Sequence, residues 1–180
     1  MNNATLQIEK LEANLARLHA RVPDLPISGV LLCRLIQHLG RGMTLLLEQQ
    51  IRPFGLAEAE FRVLTTLFSQ PEGAANPTEL CSKTDQSPAN MSRISDALVS
   101  LGLITRDSSL HDRRKMVLRV TDQGERLVRR LLPMLAVPLR EMFQDFSLQE
   151  QGDLVERLKS LVAKLDDGLA HPAADSERAE

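Results

Sequence analysis

Two groups of polar side chains near the middle of the chain have the types and spacing of a nucleic-acid contact. The first group follows a helix start and consists of Ser87, Asn90, Ser92 and Arg93. A helix N-terminus carries partial positive charge and free N–H groups, so it suits a phosphate or a groove edge. Asn and Arg make bidentate hydrogen bonds to adenine and guanine. We therefore expect Asn90 and Arg93 to contact base edges and the serines to contact phosphates, although an ordinary amphipathic surface helix shows the same pattern.

The second group is the cationic run Arg113-Arg114-Lys115. Residues 103–105 form a short apolar strand, and Met116, Leu118 and Val120 alternate with Val117 and Arg119 at strand period, so a hairpin is predicted with these cations at its tip. A solvated loop is the alternative explanation, because charge runs are usually solvated. Arginine forks suit phosphate oxygens, and a narrow minor groove attracts inserted arginine. Since the tip would lie beside the polar helix, we expect the run to contact DNA.

The helix that carries the first group has clear ends. Ser87 is a good N-cap, and Pro88 suits the first helical position, where its missing N–H costs nothing. Apolar residues recur at helical spacing from Met91 to Leu101, and Gly102 follows as a stop signal. These signals predict a helix over residues 88–101 with one apolar face.

A shorter helix precedes it. Asn76 is its predicted N-cap, Pro77 its first residue, and residues 83–86 form the connecting turn. A short helix, a turn of about four residues and a longer polar-faced helix form a helix-turn-helix, whose second helix enters the major groove. Thr78 and Lys83 are then further candidates for phosphate contacts.

Charge is distributed unevenly along the chain. The 180 residues carry a net charge of −2, but residues 87–119 contain six Lys or Arg against three Asp or Glu. This segment is therefore +3 and the remainder −5, which is a reasonable electrostatic footprint for a nucleic-acid-binding protein. No apolar run reaches membrane-spanning length and no signal peptide precedes the chain, so we expect a cytoplasmic protein without membrane contact.

The sequence contains no pattern of catalysis or metal binding. The four histidines have no paired spacing with Cys or carboxylates, and neither a glycine-rich phosphate loop nor a nucleophile elbow is present. We expect no enzymatic activity, no metal and no cofactor.

The flanking segments are predicted to be helical. Residues 2–22 form an amphipathic helix, and residues 28–51 are apolar on more than one side, which suits a buried dimerisation helix. Arg34, His38 and Arg41 share one face of the second helix. The ordinary explanation of this shared face is that it is solvated or forms salt bridges. The more specific explanation is that it binds an anionic group of a ligand.

The C-terminal third is also predicted to be helical. A long helix begins at Thr121 or Asp122 and is expected to bend at Pro133 and Pro138. A capping box at Ser147 opens a last helix that ends at Gly168. The residues beyond it are polar and expected to be disordered.

The motifs together resemble those of the MarR family of bacterial transcription regulators. The matching segments are residues 87–93, 102–104 and 112–114, residues 120–124 after the hairpin, and the upstream segments 55–56 and 61–64. The long N-terminal lead and residues 31–35 look closest to the EmrR (MprA) branch, which represses multidrug-efflux operons. The resemblance covers roughly residues 27–168.

The resemblance implies a mainly α (α+β) fold, in which a winged helix-turn-helix is joined to a helical dimerisation module of N- and C-terminal helices. It implies N-terminal dimerisation helices at residues 1–52, the winged domain at 53–122, C-terminal dimerisation helices at 123–168 and a disordered tail at 169–180. The expected partners are double-stranded DNA with a near-palindromic operator, a second copy of the chain, and a small aromatic effector. In this family such effectors bind between the dimerisation helices and the winged domain, and Arg34, His38, Arg41 and Phe54 are the candidates for that contact.

Two other functions remain open at this point. Some relatives sense peroxide through a cysteine on the first dimerisation helix, and Cys33 lies in a comparable place. A buried structural cysteine is the expected alternative, because the tyrosines that assist in those relatives are absent here. A winged-helix module that binds protein is the second possibility, but it would not need a cationic wing.

Overall fold

The computed structural model describes residues 3–108 and 116–171. It divides into two compact units, Met1–Leu131 and Leu132–Glu180, with the boundary inside one helix. The tip of the hairpin, with Arg113, Arg114 and Lys115, and residues 172–180 of the predicted tail lie outside the described residues.

The first unit contains most of the elements. Its helices are α1 (Asn3–His19), α2 (Ile27–Ile51), α3 (Glu58–Phe68), α4 (Pro77–Thr84), α5 (Pro88–Ser100) and the first part of α6 (Asp122–Phe143). Short 3-10 turns follow α2 (Arg52–Phe54) and α3 (Pro71–Gly73). The strands are β1 (Ala74–Ala75), β2 (Ile104–Ser108) and β3 (Met116–Val120). The second unit holds the end of α6 and α7 (Leu148–Ala170).

The three strands form one antiparallel sheet in the order β1-β3-β2. Leu118 at the centre of β3 pairs with Arg106 of β2 and with Ala75 of β1. β1 was not predicted from the sequence. Two alanines have no strand signal of their own, so their pairing depends on the neighbouring β3, which tertiary packing supplies.

The hydrophobic core lies under the winged helix-turn-helix. α3, α5 and β3 contribute fully buried side chains because their apolar residues recur at the period of each element. Met91, Ile94 and Leu98 are each at most 1% exposed, which fixes the inner face of α5. The other fully buried large side chains are Ile51, Val63, Leu64, Leu67, Leu80, Ile104, Leu118, Val128 and Leu131.

Gly124 is required where α6 passes the end of β2. A Cβ at this position would lie 2.2 Å from the carbonyl oxygen of Leu103. Thr121 caps the same helix, since its Oγ1 accepts from the N–H of Gly124 at 3.0 Å. Thr121, one of the two starts that the sequence left open, is therefore the cap, and its hydroxyl is held in place because it also donates to Gly102 O at 2.7 Å.

Several local predictions are confirmed, and others need correction. Ser87 caps α5 and Ser147 forms a capping box with Glu150, whereas α2 begins one residue earlier than expected, after Pro26 and without a side-chain cap. Leu101 is 37% exposed rather than buried, because it follows the last residue of α5 as its C-cap. Phe68 is half-buried, and the Arg129 guanidinium covers its ring at 5.4 Å.

α6 runs through both internal prolines without interruption. The predicted bend at Pro133 and Pro138 remains a prediction. α7 extends two residues beyond the expected stop at Gly168.

α2 differs from its expected burial. Leu32, Ile36, Leu39, Met43 and Leu45 are 42–59% exposed, so this chain alone does not cover the apolar sides of the helix. The segment Ile27–Phe54 is also long and apolar enough to cross a membrane, with a mean hydropathy of 1.2 in its best window. This corrects the expectation that no segment has that length and composition, although core helices of soluble proteins meet the same test.

Candidate nucleic-acid interface

The N-terminal end of α5 presents polar groups on a rigid base. The Ser87 hydroxyl accepts from the Asn90 N–H at 3.2 Å and closes the first turn. Ser92 and Arg93 are exposed, while the buried residues one position before and after them hold the opposite face in the core. The predicted residues Ser87, Asn90, Ser92 and Arg93 therefore lie together at the start of one helix, as the sequence indicated.

Asn90 is the centre of a side-chain network that sequence reasoning did not predict. Its Nδ2 donates to Gln86 Oε1, and its Oδ1 accepts from Arg93 Nε at 3.2 Å and from Arg93 Nη2 at 2.9 Å. Gln86 and Asn90 are half-buried and Arg93 is exposed. The spacing of Gln86, Asn90 and Arg93 at i, i+4 and i+7 was the available signal, but Gln86 lies in the turn before the helix.

α4 supplies the other predicted phosphate contacts. Asn76 caps it by accepting from the Glu79 N–H at 2.9 Å, and Asp85 ends it in the left-handed conformation with φ 53°. Lys83 belongs to α4 rather than to the turn, and its ammonium donates to Gln70 Oε1. Thr78 and Lys83 are both exposed.

Arg106 joins the hairpin to the recognition helix. Its Nη1 lies 2.5 Å from Asp96 Oδ1, and its Nη2 donates to Ser92 O at 3.2 Å. One side chain of β2 therefore contacts the exposed side of α5 at two points. This contact was not predicted, because a contact between two separate elements is not visible in a local sequence pattern.

A second cation links the sheet to the segment before β1. Arg119 Nη1 donates to Glu72 O at 3.0 Å. Glu72 and Asp85 are the non-glycine residues with positive φ among the described residues. The Arg119 contact helps hold the Glu72 turn beside the sheet.

The candidate ligand residues divide into two places. Arg34, His38 and Arg41 line one cleft of about 450 Å³ between α1 and α2. Phe54 does not line that cleft, and the Arg130 guanidinium stacks over its ring at 5.1 Å. Arg34, His38 and Arg41 therefore form a cluster on α2, and Phe54 lies apart from it in contact with Arg130. A ligand site that uses all four residues stays a prediction.

The two cysteines are not core residues. Cys33 is exposed and Cys81 is half-buried. The expectation of a buried Cys33 was wrong, because Cys33 lies on a part of α2 that no other element of the described chain covers. Cys81 borders a cleft beside α5. Within residues 3–108 and 116–171, no group of three or more His, Cys, Asp or Glu could hold a metal ion.

Comparison with known proteins agrees with this geometry. The family model described as MarR family matches residues 56–116. The transcriptional repressor MprA of Escherichia coli K12 is 31% identical over 147 residues, which cover 82% of this chain and 84% of that protein. The relatives of the present chain are named transcriptional regulators, so the expectation of a regulator rather than an enzyme is confirmed.

Solved structures share the fold. Sco3205 of Streptomyces coelicolor, a MarR family regulator solved in complex with DNA, superposes with a TM-score of 0.70 at 21% identity, covering 85% of this chain and 92% of that one. Bordetella bronchiseptica BpsR, whose DNA binding is regulated by 6-hydroxynicotinic acid, superposes with a TM-score of 0.63 at 22% identity, covering 72% and 91%. The mainly helical architecture with its winged helix-turn-helix is thus confirmed. On the similarity to MprA and the family match together, the chain belongs to the MarR family of transcriptional regulators.

Proposed function

We propose that the protein is a homodimeric, ligand-responsive repressor that binds a near-palindromic double-stranded DNA operator. The observation that carries the proposal is the start of α5, where Asn90 and Arg93 lie on the helix outside the buried face of Met91, Ile94 and Leu98. Each α5 enters the major groove of one half-site, with the half-sites about 10 base pairs apart, centre to centre. Arg93, positioned by the side chain of Asn90, contacts base edges, whereas Thr78, Lys83, Ser87 and Ser92 contact phosphates.

The wing completes the contact with DNA. Arg106 ties β2 to α5, so the hairpin approaches the duplex in a fixed direction from the recognition helix. Arg113, Arg114 and Lys115 follow β2 in sequence and supply the cations for the adjacent minor groove or its phosphate rim.

The dimer follows from the uncovered apolar residues. α2 exposes five large apolar side chains, and exposed apolar patches of that extent mark interfaces. α7 exposes a second set, including Val155, Leu158, Leu161, Val162 and Leu165. A second copy of the chain would cover these helices, and the symmetry of the dimer would match the symmetry of the operator.

The effector and the regulated genes are proposed from relatives. BpsR responds to 6-hydroxynicotinic acid, which supports a small aromatic acid or phenolic effector here. Similarity to the transcriptional repressor MprA supports repression, and we infer that the repressed genes are an efflux or stress-resistance operon. The protein would act in the cytoplasm. The ligand would shift the dimer between two spacings of its winged units, which requires different affinities for the two states.

The test is fluorescence anisotropy with labelled DNA from upstream of the protein's own gene, compared with a scrambled duplex. The label must be on the DNA because the chain has no Trp or Tyr. We expect selective binding that weakens as salt rises and is released by salicylate. Equal weak binding to both duplexes, followed by no enrichment in a random-sequence selection, would contradict DNA recognition.

A thiol switch is a second candidate because Cys33 is exposed. An exposed thiol is open to peroxide, whereas a buried one is inert. If the switch operates, peroxide should release DNA from the native protein and not from Cys33→Ser, with Cys81→Ser as the matched control. An identical response of native protein and Cys33→Ser would eliminate this candidate.

A further inference from the structure

The cleft between α1 and α2 has a cationic side and an apolar floor. Arg34, His38 and Arg41 lie along α2 within two helical turns, so the two arginines are about 10 Å apart along the axis. The floor is apolar, and its most protected residue, Leu15, is 6% exposed. The other apolar lining residues are Ile8, Leu11, Leu18, Val30 and Leu35.

The cations of this cleft have no acidic neighbours in the part of the chain that the structure describes. No carboxylate there lies within 4.0 Å of Arg34 or Arg41. The lining itself contains no Asp or Glu, and α1 contributes only the amides of Gln7 and Asn14 as polar groups. The cluster therefore attracts an anion and is not neutralised by the helix that faces it.

The apolar floor restricts the shape of that anion. The floor residues of α1 extend from Ile8 to Leu18, which is about 15 Å along the helix. This is longer than a single aromatic ring needs, and the cleft volume of about 450 Å³ is within the range of pockets that bind small molecules. None of the lining residues belongs to the winged helix-turn-helix, so the cleft is separate from a site between that domain and α2.

We propose that this cleft binds an elongated amphipathic carboxylate, an anionic head on an unbranched apolar chain. The head binds between the guanidinium groups of Arg34 and Arg41, since arginine forks match carboxylate geometry. The chain lies along the apolar floor between Leu11, Leu15 and Leu35 and ties α1 to α2. The proposal deepens the ligand-responsive part of the proposed function by giving the chemical class of one effector.

The test is calorimetric titration of the full-length protein with octanoate, octanamide and acetate. Octanamide keeps the apolar chain without the charge, and acetate keeps the charge without the chain. We expect octanoate to bind at least about tenfold more tightly than either, because the site needs charge-assisted hydrogen bonds and apolar burial together. Equal affinity for octanoate and octanamide would overturn the proposal, since apolar faces elsewhere would then explain the binding.

Two double variants locate the site. Arg34→Gln with Arg41→Gln should reduce octanoate affinity about tenfold or more and leave octanamide unchanged. Arg157→Gln with Lys164→Gln removes the same charge at the same spacing from exposed positions of α7 and should leave both unchanged. Equal losses in the two double variants would show only long-range attraction and would overturn the proposed site.

The DNA assay separates this inference from the proposed function. The Arg34→Gln, Arg41→Gln protein should keep selective operator binding, because neither residue belongs to the winged helix-turn-helix. If native protein binds operator selectively but not octanoate, the inference fails and the regulator stands. If octanoate binds with the expected pattern and no DNA is recognised, the proposed function fails and the binding site stands.

Discussion

The arrangement of Asn90 and Arg93 predicts that the two residues act as one unit in DNA recognition. Asn90 Oδ1 accepts from two nitrogens of Arg93 at 3.2 and 2.9 Å, while its Nδ2 is occupied by Gln86. An asparagine that read adenine by a bidentate contact would have to give up at least one hydrogen bond from Arg93, because both lone pairs of Oδ1 are used. The structure therefore favours Arg93 as the base-reading residue, with Asn90 holding it in position.

Magnitudes distinguish the two arrangements. A bidentate arginine–guanine contact discriminates by about 1–3 kcal/mol, so Arg93→Ala should weaken operator binding about 5- to 150-fold. Hydrogen bonds to a charged group contribute about 1.5–3 kcal/mol of free energy when they are shielded from solvent. Arg93 is exposed, and solvent competition reduces such contacts to about 1 kcal/mol or less. Asn90→Ala should then cost about fivefold or less if it acts only through Arg93.

The assay is a double-mutant cycle on operator affinity. Asn90→Ala, Arg93→Ala and the double variant are compared by anisotropy on operators changed at one base pair at a time. We expect the double variant to resemble Arg93→Ala, and both single variants to relax specificity at the same base pair. Ser100→Ala, an exposed change at the other end of α5, is the control and should change nothing.

Additivity would refute this reasoning. If the two losses sum within about 0.5 kcal/mol and affect two different base pairs, Asn90 reads its own base. The internal network would then be an arrangement of the free protein that DNA displaces.

Three further predictions concern the elements that hold the interface. Arg106→Ala should lower the free energy of unfolding in urea by only about 1 kcal/mol, since exposed ion pairs contribute little. It should still weaken operator binding measurably because β2 loses its contacts to α5, and an unchanged DNA affinity would contradict a role of Arg106 in positioning the hairpin. Gly124→Ala should lower the free energy of unfolding by about 1–3 kcal/mol or more, as overpacking does, because its Cβ would lie 2.2 Å from the Leu103 carbonyl oxygen. An unchanged midpoint in urea unfolding would contradict this and show that α6 can shift to make room. The hydrogen bond from the Ser147 hydroxyl, followed by that from its N–H, lowers the pKa of Glu150 below its ordinary 4.5. The cap therefore stabilises α7 above pH 4.5, and this stabilisation is lost as pH falls through the lowered pKa. Ser147→Ala should raise the pKa of Glu150 in a carboxyl-carbon NMR titration, and an unchanged pKa would refute the cap.

Local signals in the sequence predicted the central elements well. Ser87 and Pro88 marked the start of α5, Gly102 its end, and the alternation of residues 116–120 marked β3. These predictions succeeded because capping, glycine at positive φ and strand alternation depend on residues within one turn or one strand. The same locality explains why Ser147 was identified as a capping box.

Other features could not be read from neighbouring residues. β1 is two alanines that become a strand by pairing with β3, and the cap of α6 is Thr121 because its hydroxyl also meets Gly102 O. Cys33 was expected to be buried and is exposed, since burial depends on which element packs against that side of α2. For β1 and for the cap of α6 the deciding contact comes from a residue far away in sequence, and for Cys33 it is the lack of a covering element among the described residues that decides.

The candidate sites likewise combine features that local sequence determined with features that contacts between separate elements determined. Residue types and spacing by themselves placed Asn90 and Arg93 at the start of one helix, and Arg34, His38 and Arg41 on one face of another. Helical periodicity is a property of the local chain, so the sequence determined which side chains share a face. Only the tertiary structure decided that Arg106 crosses to α5 and that α1 closes a cleft over the cations of α2. Those arrangements depend on the packing of separate elements, which no single stretch of sequence contains.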